Sequence, residues 1–166
     1  MTVADLQRAF DYNYWANEKL FAVLRQLTPE QFTQPVAGSY GSVRNTLVHV
    51  MSAEWGWIDR GGGTPRGPAL VATDYPTVEA LIERWRQVES YMRAFLATLY
   101  EQDIDNVREF SLAQGTTHSM RLGEMLHHAA VHGVHHRGQV SLLLRALGHA
   151  PGNFDIMFYY LERPRI

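Results

Sequence analysis

The segment EMLHHAAVHGVHHRGQV carries five of the chain's eight histidines within ten residues: His127, His128, His132, His135 and His136. Imidazole ligates transition metals as the neutral ring and changes charge near physiological pH. Four-residue spacing on a helix puts two side chains one turn apart on one face, where both can reach a single ion. Two pairs have that spacing, His128/His132 and His132/His136. The apolar positions around them choose between the pairs. At about 100° per residue, Leu122, Met125, Leu126, Ala129, Val140, Leu143, Leu144 and Leu147 fall on one stripe. His136 lies about 20° from its centre and His132 about 60°, whereas His128 and His135 lie about 100° and 120° away. The His132/His136 pair is therefore expected to face inward, with His127, His128 and His135 in solvent. A lone inward histidine is usually a hydrogen-bonded structural residue. Two on one buried face must partner four ring nitrogens, which favours metal binding.

A third ligand must come from another element. His49, in the segment TLVHVMSAEWGWI, is the best candidate, because bundle metal sites are built from side chains on facing helices. Glu54, His118 and His149 compete with it. Other metal motifs fail: Glu124-x-x-His127 lacks the second ExxH and the two further Glu of a di-iron site. Neither HExxH nor a Gly-rich phosphate loop occurs. The chain has no Cys, which excludes disulfides, thiolate metal sites and a cysteine nucleophile. Protein ligands are thus imidazole or carboxylate, and any sulfur chemistry must arrive with a substrate.

The elements that would position these residues are helical. Apolar residues recur at helical spacing over residues 4–27, with Thr2 as a cap and Thr28-Pro29 as the stop. Residues 30–41 read as a loop with a short helical turn. Ser42 caps a second helix through Arg60 that ends at Gly61-Gly62-Gly63, followed by a long loop to Pro76. Thr77 caps a third helix to Glu101. Residues 107–112 and 116–120 are expected to pair as a small hairpin, turning at Gln114-Gly115. A fourth helix spans Arg121–Leu147 and stops at Gly148, and the apolar tail 154–161 should pack on the bundle as a turn or two of helix. The fold class is all-α, a four-helix bundle in one domain over residues 1–166. Connections of about 14 to 20 residues exceed the 2–8 usual in bundles, so a plain up-down-up-down order is not implied.

Composition bounds the partners. The chain has 166 residues, 46% hydrophobic and 19% charged, with a net charge of −2. Lys19 is the sole Lys and no basic run occurs, so the footprint of a nucleic-acid-binding domain is missing. No segment approaches the roughly 18 apolar residues of a membrane span, and the N-terminus lacks the apolar core of a signal peptide. A cytoplasmic protein with no membrane or nucleic-acid partner is expected.

Four segments carry a resemblance to a known family: NYWANEKL (13–20), GSVRNTLVHVMSAEWGWIDR (41–60), HAAVHGVHHRGQV (128–140) and LGHAPGNFD (147–155). In order and spacing they resemble the DinB family, also described as DinB/YfiT-like metalloenzymes. That resemblance implies an up-down-down-up four-helix bundle, a tendency to form homodimers, and a three-His site for a divalent transition metal, nickel or zinc. Carried onto this chain, the ligands fall on His49, His132 and His136. Many relatives have Asn before the first His of HxxxHRGQ, where this chain has Val131. Three neutral His leave at least one position for water or substrate, which points to hydrolase-like chemistry or transfer of a small thiol onto a small-molecule substrate. A non-catalytic metal-binding stress-response bundle is the alternative. Glu54 and Gln139 are candidate partners for the ligand imidazoles. Tyr12, Tyr14, Trp15, Trp55 and Trp57 are candidate pocket walls, and Arg137 has a surface or structural role.

Overall fold

The protein is described from a computed structural model that covers residues 1–62, 67–111 and 115–163. Four long helices dominate: α1 (Val3–Leu24), α3 (Val43–Gly62), α4 (Val78–Ala97) and α5 (Leu122–Ala146). Two short ones, α2 (Pro29–Thr33) and α6 (Ile156–Glu162), lie in the connection after α1 and in the tail. Strands β1 (Val107–Ser111) and β2 (Thr117–Arg121) form the hairpin expected between the last two long helices, with Phe110 opposite His118. Gln114, where the turn was expected to begin, lies outside the described residues, as does Gly63 of the glycine stop.

Side chains that accept from the otherwise orphaned first-turn amides set the helix starts. Thr2 and Asp5 form a reciprocal capping box on α1, Ser42 Oγ accepts from Asn45 N at 3.0 Å, and Thr77 Oγ1 accepts from Ala80 N at 3.2 Å. The ends are less regular. α1 gives way to turns at Arg25, and α4 ends at Ala97, with Glu101–Asp105 as a separate 3-10 turn. α3 continues through Gly61 and Gly62 rather than stopping there. A Cβ at Gly61 would come within 3.0–3.2 Å of Leu122 and Phe95, so glycine there admits close packing rather than a turn.

α1 lies against α4 and α5, and α3 lies against the same two helices. The core runs through all four in two apolar clusters. One is built around Phe21, Leu47, Met51, Leu81, Trp85 and Leu144, the other around Leu6, Phe10, Met92, Leu122 and Leu126. The α3–α5 contact is the one that brings His49 opposite the fourth helix. Among the described residues, no helix is long and apolar enough to cross a membrane.

The tail departs from expectation. Tyr159 of α6 packs edge-on against Tyr12 and Trp15 of α1. Ile156, Met157, Tyr160 and Leu161 nevertheless remain exposed, because a seven-residue helix has one face to offer α1 and its apolar residues lie on all sides.

At the centre, Phe21 and Trp85 meet edge to face at 5.6 Å, and Trp85 is 1% exposed. Trp85 Nε1–H also donates to Glu54 Oε2 at 3.2 Å. Trp85→Ala is predicted to cost about 3–5 kcal/mol, from lost burial and the cavity left behind. Urea unfolding followed by circular dichroism measures it, and a loss below about 1 kcal/mol would show that this core collapses around the gap.

Candidate metal centre

The inward-facing residues of α5 are those the apolar stripe selects. His136 is buried and His132 half-buried, while His127, His128 and His135 are exposed. His128 is not wholly free, since its ring meets Trp57 edge-on at 5.0 Å and partial burial holds it below the usual imidazole pKa. Across the groove, α3 presents His49, half-buried, to the same point. His132 Nε2 lies 3.0 Å from His136 Nε2 and 3.1 Å from His49 Nε2. One donor nitrogen from each of the three rings falls within 4.8 Å of the other two.

Gln139, one turn beyond His136, fixes which nitrogen faces the cluster. His136 Nδ1–H donates to Gln139 Oε1 at 2.7 Å, so the neutral ring presents its Nε2 lone pair to His132. The same amide donates through Nε2 to His135 at 3.0 Å and accepts from Ser39 Oγ at 2.7 Å. Removal from water, reinforced by mutual repulsion, keeps the rings neutral. His49 is lowered to about 4 and His132 to about 3, and burial lowers His136 as well. A single proton on His132 Nε2 cannot serve both neighbours. The three ring nitrogens have one hydrogen to share among themselves, the Tyr40 hydroxyl being the further donor within reach of His49 Nε2, and a cation placed among them would satisfy all three. Donors about 2.0–2.1 Å from one ion and 90–110° apart stand roughly 2.9–3.4 Å from each other, the range of the two short separations here.

Behind His136 the helix is pinned by charge. Arg137 is buried, its guanidinium donating to Asn17 Oδ1 at 3.1 Å and to Asn13 Oδ1, and it stacks over Tyr12. Burial lowers its pKa, which the Tyr12 and Glu54 side chains partly offset. Gly133, one turn earlier, makes room: a Cβ there would approach Arg137 Nη1 to 3.1 Å and Asn13 Oδ1 to 3.3 Å. Arg137 is thus a structural residue that sets the rotation of α5 and with it the aim of His132 and His136.

The other sequence candidates lie elsewhere. Glu54 points into the core, accepting from Tyr14 Oη at 2.7 Å and from Trp85, with its pKa raised by burial. It partners no ligand imidazole. His118 sits on the exposed hairpin beside Phe110, and His149 pairs with Gln31. Of the aromatics, Trp57 lines a cavity of about 540 Å³ beside His49. Tyr12, Tyr14 and Trp15 instead pack within α1's contacts, and Trp55 meets Tyr91. Sequence reasoning missed Tyr40, whose ring stacks on His49 at 4.0 Å and whose hydroxyl lies 2.9 Å from His49 Nε2. The available signal was a tyrosine between Ser39 and Gly41, two residues before the cap of the helix that carries His49.

Comparison with known proteins agrees with this fold. The DinB family model matches residues 1–164, so the chain belongs to the DinB family. It is similar to Protein DinB of Bacillus subtilis, 24% identical over 157 residues, covering 92% of this chain and 91% of that one. Uncharacterized protein YizA of the same organism is 26% identical over 146 residues, covering 88% and 90%. Among solved structures, a DinB-like protein from Bacillus cereus superposes with a TM-score of 0.72 at 20% identity, over 92% of this chain and 97% of that one.

The lowered histidine pKa values carry a pH signature. Below about pH 6.5 the unfolded chain binds protons that the folded rings resist, so stability falls as pH drops from 6.5 toward 4. Metal-stripped protein should show a declining melting temperature across that window, and a smaller decline in His132→Ala. Parallel curves for the two would contradict this assignment of the titrating groups.

Proposed function

We propose that this protein binds a divalent transition metal through His49, His132 and His136 and uses it in enzymatic chemistry on a small molecule. The observation that carries this reading is the convergence of three neutral imidazole Nε2 atoms, one of them oriented by Gln139, beside a cavity that His49 lines. All-imidazole ligation suits zinc or nickel, the metals the family resemblance suggests. When bound, such an ion supplies Lewis acidity, lowering the pKa of a coordinated water or small thiol so that a nucleophile is available near neutral pH.

The chain's own residues do the rest. Gln139 fixes the His136 tautomer, and Arg137 with Asn13 and Asn17 fixes the rotation of α5. The cavity beside His49 has the size of a small-molecule site. Val48, Leu70 and the Trp57 ring form an apolar wall, and Asn45, Ser52 and Arg60 offer polar groups on its lining. The Arg60 guanidinium is stacked over Trp57 at 4.8 Å. An apolar wall facing polar groups beside a nucleophile-generating site fits an electrophile of modest size. With no Cys in the chain, a low-molecular-weight thiol cosubstrate is the source of sulfur if the reaction is S-transfer. A homodimer in the cytoplasm remains the expected setting.

Metal analysis of the purified protein tests the site. About one ion per chain is expected in the wild type, and almost none in the His132→Ala/His136→Ala variant. Equal trace metal in both would overturn the reading. Gln139→Ala should weaken metal affinity about 10- to 100-fold while leaving the melting temperature of the stripped protein nearly unchanged. Unaltered affinity in a chelator competition would remove Gln139 from the site.

A further inference from the structure

The loop before α3 reaches over the histidine cluster. Gly38 and Gly41 have φ of 100° and 82°, and between them Ser39 has φ of 48°, a left-handed conformation that a residue with a Cβ rarely adopts. Hydrogen bonds from side chains hold it there. Ser39 Oγ donates to Gln139 Oε1 at 2.7 Å, and Thr46 Oγ1 donates to Ser39 Oγ at 3.1 Å. Asn45 Nδ2 donates to the Tyr40 carbonyl at 3.3 Å. Gln139 therefore clamps two things at once, the ring of His136 and the loop that carries Tyr40.

The result is a phenol placed on the site. Tyr40 stacks on His49 with ring planes 20° apart and leans over His136 at 5.7 Å. Its hydroxyl stands 2.9 Å from His49 Nε2, which matches the 3.0 and 3.1 Å that separate the imidazole nitrogens themselves. Core burial does not explain this placement, because Tyr40 is 47% exposed and covers imidazole rather than aliphatic surface. Without an ion, the Tyr40 hydroxyl and His49 Nε2 partner each other. Once the His49 lone pair turns to an ion, the hydroxyl loses that partner while its oxygen stands 2.9 Å from that same nitrogen.

We propose that Tyr40 Oη is a fourth protein donor, completing a three-nitrogen, one-oxygen set with His49, His132 and His136. The inference rests on the metal-binding reading above and extends it. A phenolic oxygen beside three imidazoles would leave an ion fewer positions for water or substrate, next to the cavity that Tyr40 and His49 line. It also assigns a purpose to the left-handed Ser39, which holds the donor over the site.

Tyr40→Phe keeps the ring and removes the oxygen; Tyr40→Leu keeps apolar cover and removes both. Each variant is compared with wild type for Co(II) binding, with circular dichroism confirming unchanged helix content. Co(II) serves as the probe because its visible ligand-field bands report the number and type of donors. Tyr40→Phe is expected to bind Co(II) about tenfold more weakly, with bands changed in position and intensity, and Tyr40→Leu to behave alike. Superimposable spectra with equal affinity in Tyr40→Phe would overturn the proposal. Tighter binding would overturn it too, showing a plug that competes for His49. Weakening confined to Tyr40→Leu would assign the effect to ring stacking, again against an oxygen donor. A wild type that takes up neither Co(II) nor Zn(II) would overturn the metal-binding reading itself, before the variants are compared.

Discussion

Everything at this site depends on three neutral imidazole nitrogens being held within one another's reach. Their lone pairs repel, and partial burial limits how far water can relieve that repulsion, which favours rotation of α5 away from the contact. The fold opposes that from two sides. On the α1 side, the buried Arg137 guanidinium is held by two asparagine oxygens, an arrangement with little rotational freedom because a buried charge without partners is far more costly than a surface one. On the α3 side, Gln139 holds His136 by its Nδ1–H and is itself held by Ser39. The packing of α3 on α5 then brings His49 opposite the other two.

This arrangement explains why the HxxxHRGQ run of the fourth helix contains what it does. His132 and His136 supply donors, Arg137 sets the helix rotation, and Gln139 sets the tautomer. Gly133 removes the one Cβ that would collide with Arg137 and Asn13. Val131, just before His132, is 50% exposed and lies outside these contacts.

Much of this is legible in the sequence, and the exceptions share a cause. The four long helices follow from apolar period and capping residues, both local signals. The ligand pair follows from the angle between His132, His136 and the apolar stripe. His49 is legible only as the partner that pair requires, since a single histidine amid apolar residues has no signature of its own. Arg137 is not legible as buried, because a charged residue beside a histidine run reads as surface. Its signal lies 120 positions away, in Asn13 and Asn17 spaced to face one way from α1. Glu54 is equally misleading: its burial depends on Tyr14 and Trp85, which belong to two other helices. Tyr40 and Ser39 escape notice because their loop is shaped by a hydrogen bond to a residue a hundred positions on. The exposed face of α6 shows the opposite failure, in which apolar composition without periodicity overstates burial.

The central claim is that His49, His132 and His136 together hold one divalent ion. Anomalous diffraction from a crystal of the zinc-loaded protein, collected at the zinc edge, tests it most directly. The account predicts a single strong peak per chain about 2.0–2.1 Å from the Nε2 atoms of all three residues. A peak on His127, His128 or His135 instead, or no ordered peak in protein that carries stoichiometric zinc, would contradict it.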